Sequence, residues 1–223
     1  VTLTSQNDAN SGGDAGDTLE KPTQIVSANA TYTGCFLKDD DTDDYYKLTV
    51  SAGQTLRVEV TPATGLSVRL TLYNPAKEDK ASDSGTKGAV VKADWTTNSQ
   101  QASYVYYIKV SIYVYGGSGT YSMQVTLTSQ NDANSGGDAG DTFEASTQIP
   151  SVIATYPGFL KGDDEDDYYK LNVTAGQILK VRVAPAETLG VSLVLYNPLK
   201  EEVASDKYGD RGVNATASIE AKT

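Results

Sequence analysis

The sequence predicts an all-β protein of tandem antiparallel β-sandwich domains with jelly-roll-like topology, and three features lead to that prediction. The apolar residues fall in short runs that alternate with polar residues, as in strands with one buried face. Turn sequences such as SAGQ and YGGSGTY separate the runs, and no stretch has a helical period. The 223-residue chain also repeats itself, because NDANSGGDAGDT occurs identically at 7–18 and 131–142. About eight short strands in each repeat are typical of a two-sheet sandwich.

Individual runs show which side chains would point into the sandwich. In QTLRVEV, Leu56, Val58 and Val60 alternate with the outward pair Arg57 and Glu59. The runs LSVRLTLY and YSMQVTLT have the same period of two. Their predicted inward sets are Leu66, Val68, Leu70 and Leu72 in the first run, and Tyr121, Met123, Val125 and Leu127 in the second.

The duplication sets the expected domain boundaries. The opening VTLT repeats the last residues of the first repeat, at 125–128, so we predict that residues 1–6 are the tail strand of a preceding repeat. Residues 7–128 then form a complete sandwich repeat. Residues 129–223 form a second, incomplete repeat that lacks its last two strands, because nothing before Thr223 matches YVYYIKVSIYVYGGSGTYSMQVTLT at 104–128.

The two absent strands matter for stability. They would carry about eight inward apolar residues, each stabilising by about 1.5–3 kcal/mol. This total exceeds the net stability of a whole domain, about 5–15 kcal/mol. We therefore expect that the second repeat does not fold alone. The chain is either a window from a longer array or a subunit that a neighbouring copy completes by strand addition.

Charge and composition exclude several classes of function. The net charge of −11 would repel nucleic acid and anionic membranes. The chain has no histidine, which removes histidine-based triads and almost all catalytic zinc sites. Cys35 is the single cysteine and cannot form an intrachain disulfide; we favour a buried free thiol over a link between chains. No run approaches the roughly 20 apolar residues of a membrane-spanning helix, so we expect no membrane insertion.

The repeated polar loop has the composition of a calcium site. It offers the carboxylates of Asp8, Asp14 and Asp17 and the amides of Asn7 and Asn10, while its glycines let the backbone curl. Calcium takes roughly six to eight oxygen ligands in tolerant geometry, whereas magnesium requires stricter octahedral placement. The loop is not an EF-hand, because the bidentate glutamate and the exiting helix are missing. A plain interdomain linker of Gly, Asn and Asp is the alternative.

A second acidic cluster follows in each repeat, DDDTDDYY from Asp39 and DDEDDYY from Asp163. Carboxylates this close together repel unless water or a cation neutralises them. The polar loop is followed by Y-x-G-x-L, with one extra residue in the first repeat, then DDxDDYYKLxVxAGQ, LxLYNP and YYIKVSIYVYGGSGTYSMQV. This order of motifs resembles the pre-peptidase C-terminal domain of bacteria and archaea, which is similar to the collagen-binding domains of clostridial collagenases.

The resemblance implies a calcium-stabilised β-sandwich in which the polar loop and the acidic corner hold the metal together. It covers about 7–128 and, without the last strands, 131–223. Asp39, Asp40, Asp43 and their counterparts would support the ligands. The ligands that the resemblance implies are Asn7, Asp8, Asp14, Asp17, Asp41 and Asp44 in the first repeat, and Asn131, Asp132, Asp138, Asp141, Asp164 and Asp167 in the second.

Two surface features add further expectations. Sequons at Asn29, Asn172 and Asn214 are glycosylation acceptors if the source organism glycosylates extracellular protein. The 15 tyrosines, against 3 phenylalanines, concentrate in YVYYIKVSIYVYGGSGTY. They predict either a sugar-stacking or interchain surface, or, as we favour, a strand with tyrosine on both its core face and its wet face.

These features favour a non-catalytic extracellular or cell-surface structural protein, a calcium-stabilised tandem-repeat subunit of a filament, stalk or surface layer. Its expected partners are copies of itself, arranged end to end or completed by strand exchange. The alternative is a carbohydrate- or collagen-binding accessory module of a secreted hydrolase, with polysaccharide as a partner. An enzyme is not expected, because the sequence contains no phosphate-binding loop, nucleophile elbow or thiol–imidazole pair.

Overall fold

The computed structural model describes residues 6–37, 41–97, 103–114, 117–150 and 153–221. The chain forms two compact units, one drawn from Val1–Thr147 and Ala154–Tyr169, the other from Gln148–Ile153 and Lys170–Thr223. The division does not follow the repeat boundary, since the acidic segments of the second repeat belong to the first unit. Helical structure in the described residues is confined to two 3₁₀ turns, Asp8–Asn10 and Asp132–Asn134. No helix in these ranges is long and apolar enough to cross a membrane.

The first repeat folds into two facing sheets. One sheet has the strand order β1-β3-β8-β5-β6 and the other has the order β2-β9-β4-β7. The chain crosses from one sheet to the other at most of its turns, and the pairings are antiparallel apart from the parallel contact of β1 with β3. The all-β sandwich prediction is confirmed. The strands are β1 (Thr23–Gln24), β2 (Ala30–Phe36), β3 (Asp43–Val50), β4 (Gln54–Pro62), β5 (Val68–Tyr73), β6 (Asp79–Ser84), β7 (Val91–Thr96), β8 (Tyr104–Ile112) and β9 (Gly119–Ser129).

The core lies between these sheets, and the predicted inward residues fill it. The alternating residues of β4, of the segment that leads into β5, and of β9 are buried, as the period of two predicts. Leu127 is partly buried and packs against the same core. The confirmed fully buried set is Leu56, Val58, Val60, Leu66, Val68, Leu70, Leu72, Tyr121, Met123 and Val125.

The strands β8 and β9 are central to their sheets. β8 lies between β3 and β5, and β9 lies between β2 and β4, so each forms hydrogen bonds on both edges. The two strands supply six buried apolar side chains and two partly buried ones, the eight that the alternation predicts. These are Tyr106, Ile108, Val110, Tyr121, Met123 and Val125, with Ile112 and Leu127 at the margin.

The second unit consists of two antiparallel strand pairs. β12 (Ile178–Val183) pairs with β15 (Ala215–Glu220), and β13 (Leu193–Tyr196) pairs with β14 (Glu202–Asp206). The register repeats that of the first sandwich, since Val181 opposes Ala217 as Val58 opposes Ala93. Within the described ranges no strand takes the places of β8 and β9.

The exposure of equivalent residues follows from this difference. Val50 of β3 is 1% exposed, while Val173, its counterpart in the second repeat, is 42% exposed. Ile178 of β12 is 64% exposed. Two short strands, β10 (Thr147–Gln148) and β11 (Tyr169–Lys170), pair where the chain passes from one unit to the other.

Candidate metal centres

The polar loop has the same backbone conformation in both repeats. Asn7 Oδ1 accepts a hydrogen bond from the backbone N–H of Gly12 at 2.7 Å, and the Asp8 N–H donates to the Gly13 carbonyl at 2.8 Å. Gly12 has a φ of +85°, a region that residues with a Cβ disfavour. In the second repeat, the same two bonds join Asn131 to Gly136 and Asp132 to Gly137.

Backbone contact joins each loop to the acidic corner that follows it in sequence. The Tyr45 N–H at the start of β3 donates to the Gly16 carbonyl at 2.8 Å, and Tyr168 N–H donates to Gly140 in the same way. A Cβ added at Gly16 would lie 1.6 Å from the Lys21 carbonyl oxygen. Glycine is therefore required where the chain folds back against Lys21, and the backbone hydrogen bond to Tyr45 brings two acidic segments that are distant in sequence to one place.

Five aspartates of the first repeat meet where the loop touches the corner. Carboxylate oxygens of Asp8, Asp14 and Asp44 lie within 4.8 Å of one another, and so do those of Asp14, Asp17 and Asp41. The two groups share Asp14. Loop and corner therefore contribute to one connected set of carboxylate oxygens, and their role as metal ligands stays a prediction.

The second repeat builds an equivalent set. Asp132, Asp138 and Asp167 form one group within 4.8 Å, and Asp138, Asp141 and Asp164 form the other. Asp138 is shared, as its counterpart Asp14 is in the first repeat. The burial of the two sets differs in detail, since Asp138 is more buried than Asp14 whereas Asp167 is less buried than Asp44.

In the first repeat, each corner aspartate has one oxygen held by the protein and one left over. Asp41 Oδ2 accepts hydrogen bonds from Gln6 Nε2 at 2.6 Å and from the Leu37 N–H at 2.9 Å. Asp44 Oδ2 accepts one from the Tyr121 hydroxyl. The Oδ1 atoms of both aspartates are buried and have no hydrogen-bond partner among the described residues. A buried carboxylate oxygen without a partner is costly, so each is a candidate ligand atom.

In the second repeat, too, one oxygen of each corner aspartate accepts a hydrogen bond and the other has no partner among the described residues. Asp164 Oδ2 accepts a hydrogen bond from Gln130 Nε2 at 2.7 Å, and Asp167 Oδ2 accepts one from the Tyr169 hydroxyl at 3.0 Å. Their Oδ1 atoms are likewise buried without a hydrogen-bond partner in the described part of the chain. The side chains are thus oriented before any ligand binds, which is how residues around a metal site tune its ligands.

The protonation equilibria reflect this crowding. Burial, reinforced by the neighbouring carboxylates, raises the pKa of Asp44 to about 8 and the pKa of Asp8 to about 7. Burial likewise raises the pKa of Asp138 to about 8, that of Asp167 to about 7 and that of Asp164 to about 6. Burial also raises the pKa of Asp41 and Asp132. Each cluster is therefore unfavourable in its fully charged form unless a cation neutralises it.

A buried tyrosine connects the first cluster to the core. Tyr121 of β9 is 3% exposed, and its hydroxyl lies 2.7 Å from the Tyr46 hydroxyl as well as contacting Asp44. Gly34 makes room for the ring, since a Cβ there would lie 2.2 Å from Tyr121 Cζ. In the second repeat Tyr169, the counterpart of Tyr46, contacts Asp167 directly.

The structure brings together all ten aspartates that were predicted as ligands. The amide oxygens of Asn7 and Asn131 close their loops by accepting backbone hydrogen bonds, and their role as ligands stays a prediction. Asp39 and Asp40 lie outside the described residues. Asp43 forms an ion pair with Lys109 at 3.1 Å rather than facing the cluster.

Sequence reasoning missed the groups that orient the ligands, which are Gln6, Gln130, Tyr121 and Tyr169. The signal for the two glutamines was present, because both lie directly before the repeated loop in SQNDAN. The sequon residues Asn29, Asn172 and Asn214 are all exposed, and their modification stays a prediction. Cys35 is partly buried in β2 as a free thiol.

Comparison with known proteins finds structural likeness only. No protein-family model matches the chain, and no curated protein matches it. One similar solved structure is the pre-peptidase C-terminal domain of collagenase from Bacillus anthracis, with 20% identity, a TM-score of 0.39, and coverage of 47% of this chain and 93% of that one.

Two further similar structures are periplasmic inhibitors of g-type lysozyme. PliG from Aeromonas hydrophila has 19% identity and a TM-score of 0.37, with 48% of this chain and 95% of that chain covered. PliG from Salmonella Typhimurium has 21% identity and a TM-score of 0.34, with 48% and 97% covered. Each likeness spans about half of this chain.

Proposed function

We propose that this chain is a non-catalytic, extracellular structural protein whose repeats are stabilised by calcium, and that it serves as a subunit of a filament, stalk or surface layer. The observation that carries the proposal is the paired aspartate groups, in which four corner aspartates have a buried Oδ1 atom with no hydrogen-bond partner among the described residues. The same arrangement occurs twice, once with each polar loop.

The donor set favours calcium among the common cations. Both clusters offer carboxylate oxygens and no sulfur or imidazole, which disfavours zinc and copper. Two groups that share one aspartate provide more oxygens than the strict octahedral shell of magnesium uses from a protein, and calcium accepts such crowded, flexible sets. Asp41, Asp44, Asp164 and Asp167 would present their Oδ1 atoms to the ion.

A catalytic role for the same carboxylates is less well supported. Their pKa values are raised by burial among other aspartates, whereas a general acid of a glycosidase has an apolar pocket around a single carboxyl group. The duplication of the whole cluster, with its loop unchanged, fits a part that each repeat needs for its own stability.

Calcium binding is tested by calorimetry and thermal melting of the full chain after removal of bound metal. We expect calcium to bind and to raise the melting temperature, with much less effect from magnesium. Asp79→Asn, an exposed carboxylate on β6, is the matched control and should leave binding unchanged. Equal melting in chelator and in excess calcium would refute calcium stabilisation.

The filament role is tested separately by electron microscopy and by size-exclusion chromatography across a range of protein concentrations. We expect calcium to promote ordered assemblies, since repeat arrays gain length by contacts between neighbours alone. A protein that stays monomeric at all concentrations with calcium bound would contradict the assembly role but not the metal sites.

The accessory-module alternative is supported by exposed side chains at the two ends of β8. Tyr104 and Val105 of β8, and Tyr113 just beyond it, are each more than a third exposed, and tyrosine rings stack well on sugars. Sedimentation with insoluble polysaccharide or collagen distinguishes the two functions. Binding that is lost in Tyr104→Ala and Tyr113→Ala would favour the module over the filament subunit.

A further inference from the structure

The tip of the second acidic corner, Lys161–Asp163, lies on the end of the first sandwich. The Asp163 N–H donates to the Thr96 carbonyl at 3.1 Å, and Asp163 Oδ2 accepts the indole N–H of Trp95 at 2.9 Å. Gly162 permits this approach, because an added Cβ would lie 2.8 Å from the Thr96 carbonyl oxygen, and its φ is +72°. Both the backbone and the side chain of Asp163 therefore form hydrogen bonds with β7.

Charged side chains on both sides reinforce the contact. Lys80 of β6 lies 3.8 Å from Asp163 Oδ1 and 5.5 Å from the centre of the Trp95 ring. Lys161 forms an ion pair with Asp94. The side chains of Lys80 and Asp163 are only 24% and 25% exposed, so this pair is less screened than an ordinary surface pair, whereas Lys161 is 45% exposed.

A second contact involves the polar loop that contributes Asp138 to the same cluster. A Cβ added at Gly53, in the turn between β3 and β4, would lie 2.5 Å from Asp138 Cβ, and the Gln130 N–H donates to the Gly53 carbonyl at 3.3 Å. The Gln130 side chain then holds Asp164 at 2.7 Å. The first sandwich therefore contacts both segments that form the second cluster, the polar loop and the acidic corner.

The receiving surface is not part of the repeat pattern. In the register of β12 and β15, the counterparts of Asp94 and Trp95 are Ser218 and Ile219, and the counterpart of Lys80 is Val203. The end of the first sandwich thus carries a charged and aromatic set that the second repeat does not reproduce. This points to a surface specialised for one incoming segment.

We propose that Lys80, Asp94 and Trp95 form a receptor surface for the Lys161–Asp163 segment, and that seating of this segment assembles the second cation site. The proposal rests on the calcium binding proposed above. Asp163, which is bonded to β7, directly precedes Asp164, which belongs to the cluster. Ordering of the backbone at Asp163 therefore also orders Asp164. Binding of a cation and docking of the segment are then reciprocal, with a coupling of about 5- to 150-fold in affinity.

The single tryptophan of the chain allows a direct test on the intact protein. We expect calcium to change Trp95 emission, because ordering of Asp163 alters the hydrogen bond and the charge beside the indole. Asp94→Lys and Lys161→Asp should each weaken the calcium affinity reported by Trp95 about tenfold. The double variant, in which the charges are exchanged, should recover most of that loss, which a general loss of stability would not do.

Calorimetry of the same proteins separates the two proposals. Among the described residues, no hydrogen bond or ion pair joins the first cluster to this receptor, so the first cluster should keep its calcium affinity in every variant and is an internal control. Unchanged affinity at the second cluster in both single variants, or failure of the double variant to recover it, would overturn the coupling while leaving calcium binding intact. Absence of any calcium binding to the wild-type chain would overturn both proposals. Lys80→Gln, a milder change, should give a loss in the same direction.

Discussion

The two candidate metal centres have the same loop sequence but different supports. In the first repeat a core tyrosine from β9, Tyr121, holds Asp44. In the second repeat Tyr169 holds Asp167 directly, and the first sandwich contacts the polar loop and the acidic corner. The two repeats thus carry equivalent candidate ligand aspartates, while the packing that holds those aspartates differs between them.

The largest expected effect is loss of the calcium-dependent part of the stability. Calcium at about a hundred times its Kd should add about 2.7 kcal/mol for each occupied site. Asp41→Asn should remove this increment from the first cluster and Asp164→Asn from the second, because each replaces a buried charged ligand. The measurement is the difference in melting between calcium and chelator, with Asp79→Asn as the control. Full retention of the increment in either variant would remove that aspartate from its site.

The two supporting tyrosines should differ in importance. Tyr121→Phe removes a hydrogen bond to a buried carboxylate and takes the partner hydroxyl from Tyr46, so we expect a loss of about 1.5–3 kcal/mol. Tyr169→Phe should cost less, because Tyr169 is only half-buried. Denaturant unfolding without calcium measures both losses. Calorimetry should also show weaker calcium binding at the first cluster in Tyr121→Phe and unchanged binding at the second; equal effects on both clusters would contradict the assignment.

Alanine substitutions at two equivalent glycines, Gly34 and Gly158, test how differently Tyr121 and Tyr169 are packed. Gly34→Ala would place a Cβ 2.2 Å from the Tyr121 ring in a closed core, and overpacking of this kind costs about 1–3 kcal/mol. Gly158→Ala would place its Cβ 3.3 Å from the Tyr169 hydroxyl, where the neighbour can move by a few tenths of an ångström. We expect its cost to stay near 0.5 kcal/mol, roughly that of an ordinary surface change. Similar losses in the two variants would show that Tyr121 is not confined as the structure shows it.

Much of the fold followed from local pattern alone. The period of two placed Leu56, Val58 and Val60 inward correctly, because side-chain alternation in a strand does not depend on which strand lies beside it. Carboxylate density marked two acidic segments in each repeat, and only the resemblance to a known domain family implied that the two segments meet. Even the role of the glycines in letting the loop curl was readable from residue type.

What could not be predicted depends on contacts between distant segments. Tyr121 alternates inward like any core residue, and nothing in YSMQV indicates that its hydroxyl meets Asp44, which lies 77 residues away. The seating of Asp163 on Trp95 spans 68 residues and has no counterpart in the other repeat, so internal comparison could not reveal it. The contacts that group the acidic segments of the second repeat with the first compact unit are likewise long-range, and the repeat pattern alone does not indicate them.

The smallest expected effect is a dependence on pH in the calcium-free protein. Aspartate in an unfolded chain has a pKa of about 3.9, whereas the folded chain raises the pKa of Asp44 to about 8 and that of Asp138 to about 8. Between these values the folded state binds more protons than the unfolded state, so the free energy of unfolding falls as pH rises from about 4 to about 8 and levels off above. Partial hydration of the clusters keeps the change modest.

Thermal melting of the calcium-free chain between about pH 5.5 and pH 8.5 measures this slope. Saturating calcium should flatten or reverse it, because the cation takes the place of the protons that the folded state otherwise gains. Asp44→Asn should flatten the calcium-free slope by removing a titrating group from the first cluster, and Asp138→Asn should do the same for the second. A calcium-free protein that becomes more stable as pH rises through this window would mean that the aspartates are neutralised by the protein itself, and neither cluster would then need a cation.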